Sequence, residues 1–228
     1  MMLTRGDNLG TALQRFALRA LFIAAAMYAL TVLPADAGQQ ATVYNFSGAK
    51  QKIAYASELG ATTPPMGWVE FCASHPQDCN VRSGSKVRVK LDADRWSELK
   101  QINSFVNKEI EPFTDEELHN VAERWSYPVN AGDCEDYVLL KRRYLMDLGW
   151  PREALLITVV LDEEDAGHAV LTVITDKGEF VLDNQEPRVK AWTNTPYTYL
   201  KRQSQEHPMQ WVSLNHRKNR KALFVSGN

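Results

Sequence analysis

The run Asn130-Ala131-Gly132-Asp133-Cys134-Glu135-Asp136-Tyr137 sets a cysteine among three carboxyl groups, directly after a turn-forming Asn-Ala-Gly. Tyr137, Leu140, Tyr144 and Leu148 then recur at helical spacing, until Gly149-Trp150-Pro151 supplies a glycine C-cap signal and a helix-ending proline. Cys134 is therefore expected on the first turn of a helix, where unpaired backbone N–H groups and the helix dipole favour a thiolate over a thiol. A thiolate so placed is suited to attack on a carbonyl carbon, and that chemistry needs a base from elsewhere in the chain.

His168 and Asp183 are the candidates for base and orienting acid. His168 opens the β-branched run His168–Thr175, Asp176-Lys177-Gly178 turns the chain, and Glu179–Leu182 returns as a strand ending at Asp183. In an antiparallel pair both residues lie at one end of the sheet, so an imidazole there can take a proton from a cysteine on a helix packed against that end. The carboxylate can hold the imidazole tautomer and steady the imidazolium. A turn centred on Lys177-Gly178 would set Asp183 opposite Thr172, and a direct bond to His168 would then need a bulge or bend. The pattern does not fix that register. His75, His119 and His207 fit no such order: one lies between the remaining cysteines, one on a polar helix face and one beside a proline.

The elements that must carry these groups are legible in outline. Residues 38–63 are polar and weakly periodic and read as an extended arm. Pro64-Pro65-Met66-Gly67 is a turn, after which Trp68 to Cys72 begin the packed domain. Asp94 to Ile110 places Trp96, Leu99, Asn103, Val106 and Ile110 on one helical stripe. Thr114-Asp115-Glu116-Glu117 is a capping box opening a helix toward Trp125. Ala154 to Leu161 is an apolar strand suited to burial on both faces. Trp192, Pro196, Tyr197, Tyr199 and Trp211 mark packing points in the last segment. Helices first, then an antiparallel sheet, is the α+β arrangement.

The chain has 228 residues, of which 1–37 read as a secretory signal: Arg5, Arg15 and Arg19, then 14 apolar residues from Ala20 to Leu33, then Ala35-Asp36-Ala37. An apolar stretch of that length is short for a membrane span, which needs about 20 residues; an uncleaved anchor is the competing reading. Removing it takes three of 26 basic and two of 28 acidic residues, leaving 23 against 26 in a domain expected over 64–228. That balance excludes a nucleic-acid surface, which needs a concentrated basic footprint. The runs Lys141-Arg142-Arg143 and Arg217–Lys221 read as solvated faces. Of three cysteines, Cys72 and Cys79 stand close enough for a disulfide, so Cys134 is the odd thiol, kept free where disulfides form.

Gly132-Asp133-Cys134-Glu135-Asp136-Tyr137, Leu148-Gly149-Trp150-Pro151, Gly167-His168-Ala169-Val170-Leu171 and Val181-Leu182-Asp183-Asn184 together resemble the bacterial transglutaminase-like cysteine peptidases. The likeness covers about Trp68 to Trp211. It implies a papain-like fold in its transglutaminase form, a Cys134–His168–Asp183 triad and a periplasmic protease. It further implies a protein substrate such as a surface adhesin and an inner-membrane receptor as regulator. Calcium bound by the acids flanking the nucleophile is also implied, at the matching positions Asp133, Glu135 and Asp136. A hard cation suits carboxylate oxygens and would offset charge that opposes a thiolate; acidic residues favoured by a helix N-terminus are the plainer reading. The Cys72–Cys79 loop is not carried by the resemblance and points to a separate branch. Two other functions stay open on these residues: acyl transfer to an amine by the same triad, and a binding module that keeps the fold without catalysis.

Overall fold

The computed structural model describes residues 54–81 and 84–216. The signal segment 1–37, the arm before Ala54 and the basic run 217–221 lie outside the described residues. Five helices, α1 (Met66–Ser74), α2 (Pro76–Cys79), α3 (Ala93–Glu109), α4 (Asp115–His119) and α5 (Cys134–Asp147), precede most of the strands. The strands are β1 (Ala61–Thr62), β2 (Glu111–Pro112), β3 (Ala131–Gly132), β4 (Leu155–Leu161), β5 (Gly167–Thr175), β6 (Gly178–Leu182), β7 (Lys190–Ala191), β8 (Thr198–Gln203) and β9 (Trp211–His216). Seven form an antiparallel sheet in the order β1-β9-β8-β4-β5-β6-β7, and β2 and β3 form a short parallel pair. The fold is α+β. Among the described residues no helix is long and apolar enough to cross a membrane.

The main core lies between the helices and one sheet face. Val138, Leu139 and Leu145 of α5 and Leu99 of α3 meet Leu155, Ile157, Leu171, Val173 and Leu182 of the central strands. β4 and β5 are buried on both faces because the opposite face packs Val160, Val170 and Val181 under Ala56, Tyr197, Tyr199 and Leu214. The arm is stitched down there: Ala61 and Thr62 pair with β9, and Ala56 N–H donates to Glu179 Oε1 at 3.1 Å. Cys72 and Cys79 are bonded across α1 and α2, with Cα atoms 5.6 Å apart. The capping box at Thr114 forms as the pattern predicts, but α4 stops after five residues, where Asn120 turns left-handed at φ 57°.

The hairpin register differs from the one a turn at Lys177-Gly178 would give. The turn is Asp176-Lys177, and Gly178, at φ 108°, already pairs with Thr175. That positive φ suits glycine. Thr175 Oγ1 holds the turn by donating to Gly178 O and accepting from Lys177 N–H. Leu182 therefore faces Leu171, and the next step of the ladder sets Asp183 toward Val170, two residues from His168. The β5–β6 ladder needs no bulge.

The Lys141-Arg142-Arg143 run is not a solvated face. Lys141 and Arg142 are buried, because positions 134, 138, 141, 142 and 145 share the inward side of α5. Arg142 Nε donates to Leu155 O at 3.1 Å. Lys141 Nζ has no hydrogen-bond partner among the described residues and lies 5.7 Å from the Tyr137 ring centre. Burial pushes the Lys141 ammonium down to about 7, against the opposing pull of the Asp183 charge. A buried ammonium without a partner costs stability. Its folded pKa lies below the unfolded one, so the cost is fully present below pH 7 and is relieved as pH rises toward the unfolded value near 10.4. Lys141→Met is therefore expected to raise the melting midpoint at pH 6 by at least ~2 °C. The gain over wild type should shrink by pH 9, as read by thermal unfolding at both pH values.

Candidate active site

The helix that carries Cys134 starts from the parallel β2–β3 pair. Glu111 N–H donates to Asn130 O at 2.8 Å and Phe113 N–H to Gly132 O at 3.1 Å, which fixes the backbone leading into α5. Asp133 is the N-cap residue and Cys134 the first residue of the helix. Gly132 is required by close approach: a Cβ there would sit 2.6 Å from Asp136 Oδ2 and 2.8 Å from its Cβ. The loop thus closes over the first turn of the helix, and the cysteine projects toward the start of β5.

There the sulfur has two partners. Ala169 N–H, the backbone donor next to His168, reaches Sγ at 3.3 Å, and the thiol donates to Glu135 Oε2 at 3.0 Å. The helix start does not make this sulfur a thiolate. Burial and then the Glu135 charge push the thiol well above its ordinary value, and the Ala169 N–H only partly opposes them. A dipole effect of about 1 kcal/mol or less cannot outweigh desolvation beside a carboxylate.

His168 and Asp183 are buried and bonded: Nε2 lies 2.9 Å from Asp183 Oδ1. Nδ1 is then the nitrogen left to exchange a proton with a sulfur. Asp183 Oδ1 also accepts from Gln185 N–H at 2.9 Å, and Oδ2 accepts from the Tyr197 hydroxyl. The α3 helix holds the backbone of the same residue. Asp183 N–H donates to Asn103 Oδ1 at 3.1 Å, and Asn107 Nδ2 donates to Asp183 O at 2.8 Å. Burial works to raise the Asp183 pKa, but the bond and charge of His168, with Tyr197 and Gln185, outweigh it and hold the carboxyl below its usual range.

The acids beside the cysteine divide into two groups. Asp133, Glu135 and Asp115 each offer an oxygen, and these oxygens lie within 4.8 Å of one another. Asp136 turns away: its Oδ1 accepts from Ser126 N–H at 2.7 Å and its Oδ2 from Ser126 Oγ at 3.4 Å. Burial, then the Glu135 charge, raises Asp133 to about 8, and burial raises Asp136 to about 7. Burial also raises Glu135. Asp133 Oδ1 and Asp115 Oδ1 are buried without a hydrogen-bond partner among the described residues. Such a set of crowded oxygens with lone pairs unused is suited to a hard divalent cation. Asp115 escapes a sequence reading because its capping box explains it as a helix start; only the β2–β3 pairing brings it back beside Asp133. Tyr197 and Asn103 are likewise missed as partners of Asp183, having read as a packing point and a stripe position, and Asn107 is not singled out by the pattern at all.

The arrangement is a thiol on a helix start against a strand whose histidine is held by a buried aspartate, with an acidic cluster on the far side of the sulfur. Residues 58–219 match the model of the bacterial transglutaminase-like cysteine proteinase family BTLCP. Legionella pneumophila LapG is similar at 24% identity and TM-score 0.43, over 51% of this chain and 67% of that one. Its calcium-bound form is similar at 23% identity and TM-score 0.45, over 60% and 77%. No curated protein matches the chain. With most of its described residues inside that family match and its thiol in this setting, the chain belongs to the bacterial transglutaminase-like cysteine proteinases.

Proposed function

We propose that this protein is an exported thiol endopeptidase in which Cys134 is the nucleophile, His168 the base and then the acid, and Asp183 the residue that orients it. The observation that carries the reading is the buried 2.9 Å bond between His168 and Asp183, one residue along from the Ala169 N–H that touches Cys134 Sγ. The proton on Sγ passes to His168 Nδ1 as sulfur attacks the peptide carbonyl, and the Cys134 N–H at the helix start helps bind the oxyanion. His168 then protonates the leaving amine, and water, activated by the neutral imidazole, releases the acyl group and restores the thiol.

Asp115, Asp133 and Glu135 would hold a calcium ion, with Asp136 bracing the loop through Ser126 rather than coordinating. When bound, calcium supplies positive charge that offsets these carboxylates and so lessens the field that keeps the Cys134 thiol protonated. The export signal at 1–37 and a peptidase domain assigned to 64–228, to whose sheet the end of the arm adds β1, belong to the same reading. The substrate is a periplasmic or cell-surface protein, for which an adhesin held under a membrane receptor is the reading the sequence resemblance suggests.

Cys134→Ala is expected to abolish cleavage, read by comparing exported and surface proteins of a wild-type and a Cys134→Ala strain; identical profiles would count against a protease. His168→Ala should slow alkylation of Cys134 by iodoacetamide at pH 7, with calcium present, by about tenfold or more. A wild-type rate no faster than that of a free thiol would favour a binding module instead.

Chelation makes a separate prediction. In the metal-free protein Asp133 and Asp136 have folded pKa values raised above their unfolded ones, so the folded state binds more protons between about pH 4 and pH 8. Stability then falls as pH rises through that window. Thermal unfolding in EDTA should show a lower midpoint at pH 8 than at pH 5, and millimolar calcium should remove most of the difference. An equal slope with and without calcium would sink the metal assignment.

A further inference from the structure

We infer that Tyr197 is a positioning residue for the reaction, acting through Asp183: its hydroxyl fixes the carboxylate that orients His168 and weakens that carboxylate as a base. The inference rests on the assignment of His168 and Asp183 above. It stands on three observations. The Tyr197 hydroxyl donates to Asp183 Oδ2, the oxygen that His168 does not use. The Tyr197 ring also stands edge-on to the imidazole, with ring centres 5.5 Å apart and planes at 67°. Finally, the residue is held rigidly from behind. A tight turn at Trp192–Asn194 and Pro196 delivers it to the start of β8, and Thr195 Oγ1 is bonded to Trp192 O at 2.8 Å and to the Tyr199 hydroxyl at 2.9 Å.

The physical need is specific. The last torsion of an aspartate is broad and close to two-fold, so a bond at one oxygen leaves the carboxylate free to swing. His168 and Gln185 both use Oδ1. Tyr197 engages the other oxygen, so the carboxylate plane is fixed with Oδ1 on the imidazole. The same bond draws electron density from the carboxylate, which loosens its hold on an imidazolium and lets His168 return its proton to the leaving amine more readily. Burial and the Asp183 charge keep the Tyr197 hydroxyl protonated, so it remains a donor. The other ionisable groups acting on the pair are Lys141 of α5, Tyr199 of β8 and Glu163 between β4 and β5; from α3, Asp183 is touched by the uncharged Asn103 and Asn107.

Tyr197→Phe removes the hydroxyl and keeps the ring. In the full-length protein with calcium, the rate of iodoacetamide alkylation of Cys134 is measured from pH 5 to pH 10, beside thermal unfolding. The expected result is a rate about tenfold lower near pH 7, the size of one lost bond to a charged group, with the alkaline limb moved to higher pH and the melting midpoint little changed. Rate and limb both unchanged would overturn the inference, as would a lower rate that merely follows a lower midpoint with the limb in place. If the Phe variant fails to fold, 3-fluorotyrosine placed at 197 keeps the volume and offers a more acidic donor, and the alkaline limb should move down; no movement would overturn the inference. His168→Ala separates the two levels. If it too leaves the rate unchanged, the triad reading fails and this inference with it. If it slows alkylation while Tyr197→Phe does not, Tyr197 alone is excluded.

Discussion

A carboxylate buried at the end of a strand is unstable unless donors surround it, and three donors reach that of Asp183 while two further side chains hold its backbone. His168, Gln185 N–H and Tyr197 bind its side chain, while Asn103 and Asn107 bind its backbone. These partners come from β5, the loop after β6, the entry to β8 and helix α3. Each of the three bonds to the carboxylate is worth about 1–3 kcal/mol, and losing one would leave a desolvated oxygen short of a donor. The packing of α3 on the rest of the domain, the two-residue turn between β5 and β6 and the tight turn before β8 all have to be right for that one carboxylate to remain ionised out of water. This is the constraint that ties the helical half of the fold to the sheet.

The sulfur is governed by an opposite balance. Asp183 is an anion met by three donors, whereas Cys134 is a thiol whose nearest charged neighbour is an acid, Glu135. Backbone help from Ala169 N–H and the helix start is real but small beside burial and like charge. The acidic residues therefore do more than decorate a helix N-terminus. Asp133 and Asp115 keep unpaired buried oxygens, and both Asp133 and Glu135 hold protons to higher pH than free acids do. Such a cluster is under electrostatic strain that a bound cation would relieve, and relief there would reach the sulfur through Glu135, which lies in the cluster and bonds Sγ.

What the sequence makes legible follows from how local the cause is. The start of α5 is set by Asn-Ala-Gly and an acidic first turn, the stripe on α3 by helical spacing, and the strands by β-branched runs, so these are readable without tertiary information. The pairing of His168 with Asp183 was readable in kind but not in register, because one residue in the placing of the turn moves the opposite partner by two. Lys141 and Arg142 looked like surface charges because a basic run usually is one; their burial depends on which side of α5 meets the sheet. Asp115 and Tyr197 were hidden for the same reason. Each has a sufficient local explanation, a capping box in one case and a core aromatic in the other, and acquires its second role only when distant segments meet.

The acidic cluster touches Cys134 through Glu135, and the strand that carries His168 touches it through the Ala169 N–H, and this shared contact is itself informative. The β2–β3 pair brings Asp115 to Asp133, and Gly132 lets the Asp136 side chain approach the loop backbone. On the other side, the same helix start presses Sγ onto the Ala169 N–H. Any change in how the acids are compensated must then be felt at the sulfur before it is felt elsewhere, because Cys134 is flanked in sequence by Asp133 and Glu135. The His168–Asp183 pair is insulated from that change by its own donors, which hold the Asp183 carboxyl low against burial. On the proposed mechanism this separates an organised acid–base pair from a nucleophile whose ionisation depends on the neighbouring carboxylates. In such an arrangement the state of the acidic cluster would act on the thiol without disturbing the residues proposed to move its proton.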